Sequence, residues 1–357
     1  MKTTHTEALV KELIETKWAG DIALCVGDKN GELFRILASN RGDVLRGDTL
    51  FDMMSVTKIM AVTPIFHIAL ESGLVSTDDP LGKYCPEAPE DKKSIPLWML
   101  LTHCSGMRKN EPADFCGPDK RNEYINYALS QPLLFTPGTK YEYSCGNFAF
   151  LGFLLERVYD KPLNLLFDDM IARPLGMKNT CFLPSEDENV VRSTRHPLLG
   201  RNKCSDPLTR RLYGVCGNAG IFSTLDDTSL FGRSLLNCHG ELMSKATFEN
   251  AAKDYLPTLS KGRGLGYVYV DGRYKQGGTL LSHGSVGHTG FSGTSVFADM
   301  NQGIYVSILS NAANYAGLAK RDYSASCAEM RKNIHSAIAE DLKKPLTYSP
   351  QGDYNYK

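Results

Sequence analysis

Strand-forming sequence in this 357-residue chain is confined to its two ends, and that constrains the fold more than any other feature. Asp21 to Val26 and Glu32 to Ser39 read as two antiparallel strands around Asp28-Lys29-Asn30-Gly31, because Asn-Gly supplies the positive φ that tight hairpins require. The next clear strand signals are Gly266 to Val270, Thr294 to Ala298 and Ile304 to Leu309. Between them the chain is helix and loop, with helical candidates at Ser55 to Ser72, Trp98 to Thr102, Arg121 to Leu129, Phe148 to Tyr159 and Leu163 to Ile171. Thr136-Pro137-Gly138 and Arg173-Pro174-Leu175-Gly176 punctuate that stretch, and Asp322 to Leu342 closes the chain as a long helix. A sheet therefore has to be assembled from both ends of the chain, around a helical insertion.

Such an arrangement needs a large core, and 42% hydrophobic residues supply it. Forty basic residues balance forty acidic ones, which removes the electrostatic footprint of a nucleic-acid or anionic-membrane binder and leaves small molecules or peptides as partners. The first twenty residues space Leu9, Val10, Leu13, Ile14 and Trp18 as a helix and interrupt them with charges, so no export signal is visible there. No apolar run is long enough to cross a membrane, which predicts a cytoplasmic protein. The ten cysteines contain no C-x-x-C pair, against a zinc ribbon or a thioredoxin-like site, and are expected to be reduced and mostly buried.

The chemistry begins at Phe51-Asp52-Met53-Met54-Ser55-Val56-Thr57-Lys58. Three residues apart on one helix face, Ser55 and Lys58 lie about 5 to 6 Å from each other, a geometry for a nucleophile and its base. The helix N-terminus adds free N–H groups where an oxyanion develops. Taken alone, the pair reads more readily as a capping serine and a solvated lysine. Two further segments change that reading: Tyr141-Glu142-Tyr143-Ser144-Cys145-Gly146-Asn147, and Gly287-His288-Thr289-Gly290-Phe291-Ser292-Gly293-Thr294.

With three motifs in this order the chain resembles the serine beta-lactamase and penicillin-binding-protein superfamily, in particular its class C beta-lactamase-like branch of esterases, DD-peptidases and acyltransferases. The likeness runs from about Asp21 to Asn311 and includes Leu100-Leu101-Thr102-His103-Cys104-Ser105-Gly106-Met107, Pro174-Leu175-Gly176-Met177 and Gly217-Asn218-Ala219-Gly220-Ile221-Phe222-Ser223-Thr224. It implies Ser55 as acylated nucleophile, Lys58 as its base partner and Tyr143 as proton relay. It also implies an oxyanion hole from the backbone N–H groups of Ser55 and Phe291, and a cleft edged by His288, Thr289 and Gly290. With ordinary pKa values of about 10.4 and 10, neither Lys58 nor Tyr143 is a base at neutral pH unless the site couples them.

Two residues depart from the family pattern. Cys145 stands where the family often has an asparagine whose amide contacts the lysine and the substrate; a thiol bonds poorly, which turns the expectation away from beta-lactams, although Asn147 is close by. His288 stands where beta-lactamases carry a lysine, so a permanent cationic anchor is lost. Of the other histidines, His67 is expected to pack, His283 to line the cleft mouth, and His103, His196 and His239 receive no role.

The reading is then a beta-lactamase-like fold of the α/β (α+β) class, an antiparallel sheet flanked by helices plus a helical domain. Residues 1–75 and 255–345 make the α/β domain, 76–254 the helical insertion, and the tail from 346 is mobile. The function it predicts is metal-independent, cofactor-free hydrolysis of an ester or small amide through a Ser55 acyl-enzyme. DD-peptidase, weak beta-lactamase and acyltransferase are the enzymatic alternatives, and a ligand-binding protein with a retained cleft is the non-enzymatic one. The oligomeric state is not legible.

Overall fold

A computed structural model describes residues 2–41, 45–108, 119–186, 189–191, 193, 200, 202–259, 262–318 and 320–344. The tail expected to be mobile lies outside these residues, as do Cys116 and His196.

The hairpin β1 (Asp21–Asp28) and β2 (Gly31–Ser39) forms as expected, but the turn closes differently. Of its residues only Gly31 has positive φ, and Asp28 Oδ1 holds it by accepting the backbone N–H groups of Asn30 and Gly31. The C-terminal segments supply β6 (Val268–Tyr269), β7 (Val286–Thr289), β8 (Ser295–Asp299) and β9 (Ile304–Ser310). With the hairpin they form one antiparallel sheet in the order β2-β1-β9-β8-β7-β6. The five-residue strand expected at Gly266 to Val270 shrinks to two residues, because Gly266 takes φ +96° and turns the chain out of the ladder.

Period-two alternation sorts β1 between two cores. Ile22, Leu24 and Val26 face Val306, Ile308 and Phe297 under the helices Thr4–Glu15 and Tyr323–Leu342, which contribute Val10, Leu13, Met330, Ile334 and Ile338. Ala23 and Cys25 face the other way, toward the core that contains Phe231 and Leu235 of the helix Leu225–Leu236 and most of the helical segments. The sequence gives no strand signal in the middle of the chain, yet a second sheet lies there: β3 (Phe51–Asp52), β4 (Cys181–Phe182) and β5 (Ile221–Ser223), in the order β3-β5-β4. Each is too short to show alternation. Among the described residues no helix is long and apolar enough to cross a membrane.

Candidate active site

The small sheet aims the nucleophile. Strand β3 pairs with β5 and ends at Asp52, whose buried carboxylate accepts the Met54 N–H at 3.0 Å and the Ser205 N–H at 2.7 Å. Met54 is thereby held at φ +49°, a left-handed conformation costly for a side chain of this size, directly before Ser55. Ser55 then falls in a single 3₁₀ turn, Met54–Val56, followed by a π-helical turn, Lys58–Val62, and the helix Thr63–Glu71. The regular helix expected to start at Ser55 is thus irregular for its first two turns. Ser292 Oγ and Thr294 Oγ1 donate to the carbonyls of Asp52 and Met53, tying the β7–β8 turn to the same segment.

Around Ser55 the chain converges. Lys58 Nζ, with no exposed surface, lies 3.0 Å from Ser55 Oγ, and the Tyr143 hydroxyl lies 2.9 Å from the same oxygen. Lys58 Nζ also donates to the Asn218 carbonyl at 2.7 Å and sits 3.9 Å from Cys145 Sγ. Asn218 reaches Lys58 because Gly217 crosses the helix Cys145–Tyr159 at Gly152: a Cβ on Gly217 would stand 2.1 Å from the Phe148 carbonyl. Asp206 Oδ1 accepts the Asn218 Nδ2–H, fixing that turn. A backbone carbonyl carries no side-chain signal, so the role of Asn218 as the third partner of Lys58 is not readable from sequence.

Burial alone favours neutral Lys58, but the neighbouring Cys145 and Tyr143 outweigh it and push the lysine up. Burial also pushes Tyr143 up, against the pull of Lys58. The resting pair is therefore ammonium and phenol, and it loses a proton as pH rises. The imidazoles beside it stay neutral: burial, Lys58 and Arg263 push both His103 and His288 well below the usual histidine range.

Strand β7 makes the facing wall. His288 Nδ1–H donates to the Thr289 carbonyl, and Nε2 is buried without a partner among the described residues. Gly290 ends the strand where a Cβ would lie 2.1 Å from Thr294 Oγ1 and 2.6 Å from the Met53 carbonyl, so only glycine lets the wall approach the nucleophile turn. The N–H groups of Ser55 and Phe291 make no backbone hydrogen bond among the described residues, and both residues line the cleft.

That cleft holds about 800 Å³ and is lined by Ser55, Tyr143, Cys145, His288, Thr289, Gly290 and Phe291 among others; Lys58 is fully buried behind it. His283 does not; it pairs with Tyr269 instead, at 3.1 Å. Nor does Asn147, which is buried and whose Oδ1 accepts from Ser105 Oγ, so it does not replace the amide missing at Cys145. Two arginines are among the lining residues that escaped the sequence reading. Arg263 and Arg331 are both buried, and neither guanidinium pairs with a carboxylate among the described residues. Arg263 donates to the Tyr141 hydroxyl; Arg331 donates to Gln276 Oε1 and to the carbonyls of Gly290 and Thr294. Scattered singly in the sequence, they formed no motif. Among the described residues no cluster of His, Cys, Asp or Glu is arranged to hold a metal ion.

A family model described as Beta-lactamase matches residues 6–326. A putative D-alanyl-D-alanine carboxypeptidase from Escherichia coli (strain K12) is 28% identical over 305 residues, covering 74% of this chain and 69% of that protein. Among solved structures, the octameric penicillin-binding protein homologue from Pyrococcus abyssi superposes with a TM-score of 0.73 at 19% identity, covering 97% of this chain and 78% of the other. EstCE1, described as a hydrolase with promiscuous acyltransferase activity, superposes with a TM-score of 0.72 at 19% identity, covering 92% of this chain and 97% of the other. At these identities the two structures speak for the fold alone.

Proposed function

Because this chain belongs to the beta-lactamase family, we propose that it is a serine hydrolase that opens an ester or small amide through a Ser55 acyl-enzyme. The observation that carries this reading is Ser55 Oγ held at 3.0 Å from Lys58 Nζ and 2.9 Å from the Tyr143 hydroxyl. Once the Lys58–Tyr143 pair has lost a proton it accepts the one Ser55 releases on attacking the carbonyl carbon. The oxyanion is received by the N–H groups of Ser55 and Phe291, donors each typically worth about 10² to 10³ in rate. Tyr143 then protonates the leaving group, and water repeats the sequence on the acyl-enzyme. Every one of these roles is filled by the chain's own groups, with no metal or cofactor in any step.

The reading treats residues 1–75 with 255–345 as one domain and 76–254 as the other. Its support is that Ser55 and His288 come from the first, and Tyr143, Cys145 and Asn218 from the second. The nine described cysteines are all free thiols, which suits a reducing, cytoplasmic compartment.

A second reading, a carboxypeptidase acting on short peptides, is favoured by Arg263 and Arg331, two buried cations at the cleft whose guanidinium groups meet no carboxylate among the described residues. Each suits an anionic end on the substrate. A panel of p-nitrophenyl esters, nitrocefin and a D-Ala-D-Ala peptide, with mass spectrometry for an adduct on Ser55, separates the two. Short esters turning over fastest supports the first; the peptide doing so supports the second. No adduct and no labelling by a fluorophosphonate leaves only a binding protein.

A further inference from the structure

We propose that His103 is a positioning residue for the reaction, a clamp that grips the backbone on both sides of Tyr143 and so aims its hydroxyl at Ser55. The proposal rests on the reading of Tyr143 as the proton relay and adds to it a residue that touches neither Ser55 nor the cleft.

Three contacts converge on His103. Its carbonyl accepts the N–H of Glu142 at 2.9 Å, and its Nδ1 accepts the N–H of Ser144 at 3.2 Å. Its imidazole packs on the Tyr143 ring with centroids 4.5 Å apart and planes tilted by 41°. The residues before and after Tyr143 are thus bound by one residue's main chain and side chain, and the ring between them lies against the same side chain. Two anchors flanking one residue leave its Cα little freedom, and the packed imidazole restricts its side-chain rotation.

The backbone of His103 is bent for this task. It stands at φ +61°, in the left-handed region, where a residue other than glycine persists only when its surroundings hold it there. The short helix Leu97–Leu101 ends just before it, and Gly106 at φ +75° turns the chain away just after it. His103 is buried and packs on Phe148 as well, at 5.3 Å. Because Nδ1 accepts a hydrogen bond, the clamp needs the neutral imidazole, and the surroundings enforce it. Lys58, Arg263 and His288 all lie close enough to oppose a charge on His103, in addition to its burial. Among the described residues no contact of His103 reaches Ser55, so its effect on the reaction passes through Tyr143.

Tyr143 is surrounded by Lys58, Cys145, Arg263 and His288. Lys58 pulls its hydroxyl down while burial pushes it up, and Asp206 acts on Lys58 from the other side. A Tyr143 freed to move away from Lys58 loses that downward pull, so the alkaline limb on which activity rises moves to higher pH.

The test compares His103→Phe, which keeps an aromatic ring but removes the Nδ1 acceptor, with His103→Asn, whose Oδ1 sits near the same place. Kinetics are followed on a p-nitrophenyl ester across pH, with circular dichroism and thermal melting to establish that each variant is folded. The expected result for His103→Phe is a fall in kcat of about tenfold to a hundredfold, with KM little changed and the alkaline limb displaced upward; His103→Asn recovers most of the rate and the original limb. A folded His103→Phe enzyme with wild-type kcat and an unmoved limb overturns the clamp. Should the Phe variant fail to fold, His103→Gln, whose acceptor is carried one bond further out, is compared with Asn in the same way, and equal rates and limbs overturn the proposal. Tyr143→Phe serves as the separating control. If it stays active, the relay reading falls and the clamp has nothing to position; if it is inactive while His103→Phe is not, the clamp alone is wrong.

Discussion

The two sides of the cleft are built on opposite terms. Around Ser55, the polar groups are already engaged by the protein: Lys58 by Ser55 and the Asn218 carbonyl, Asn218 by Asp206, Met54 by Asp52. Across from it, the guanidinium groups of Arg263 and Arg331 are buried and, among the described residues, meet only neutral oxygens, and His288 Nε2 meets none. A buried charge is costly until an opposite charge reaches it. The first side is complete in itself, while the second holds positive charge that an anionic group could meet. Catalysis and specificity are therefore separable by mutation here.

The largest expected effect breaks the completed side. Ser55→Ala should reduce turnover by about 10⁴ to 10⁶ with the fold intact, as expected when coupled groups act as a unit. Lys58→Ala and Tyr143→Phe should fall nearly as far, and the double variant little further. Additive losses in kcat would show that the two serve separate steps.

The next probes the waiting side. Arg263→Gln and Arg331→Gln should each raise KM for a substrate with a free carboxylate by about tenfold to a hundredfold, the worth of a charge-assisted bond at about 1.5–3 kcal/mol. Neutral p-nitrophenyl acetate should be turned over with unchanged kcat. Equal losses on both substrates would mean that the arginines only hold the cleft together.

The smallest effect lies at the seam between the two sides. Cys145, 3.9 Å from Lys58 Nζ, offers the substrate almost no hydrogen bond. Cys145→Asn should raise kcat/KM for nitrocefin relative to p-nitrophenyl acetate by roughly tenfold, if one added bond contributes about 1.4 kcal/mol to the transition state. A ratio that stays put in a folded variant would reduce Cys145 to packing.

What the sequence makes legible follows the same division. Ser55 and Lys58 are three apart on a helical stretch, and spacing alone brings them to one face. The strands β1, β2, β8 and β9 run for five to nine residues rich in apolar and β-branched side chains and declare themselves. The strands β3, β4 and β5 have two or three residues each and do not. Asn218 acts through a carbonyl, and His103 through a carbonyl and a left-handed bend, neither of which residue type reveals. Arg263 and Arg331 are meaningful only for the partners they lack, which is a property of three-dimensional packing.

The pairing of β1 with β9, in which Ile22 faces Ser310, has a consequence for how the protein comes into being. The hairpin of β1 and β2 emerges well before β9 during synthesis and has no inner neighbour until β9 has followed. Ordering so long a loop before any contact rewards it makes for slow closure. Meanwhile the inner edge of β1, with Ile22, Leu24 and Val26 on one face, stands open as a template for other chains. A polypeptide halted before Ile304 therefore keeps Ser55, Lys58 and Tyr143 but leaves that edge bare, and its fate is aggregation rather than a weakened enzyme.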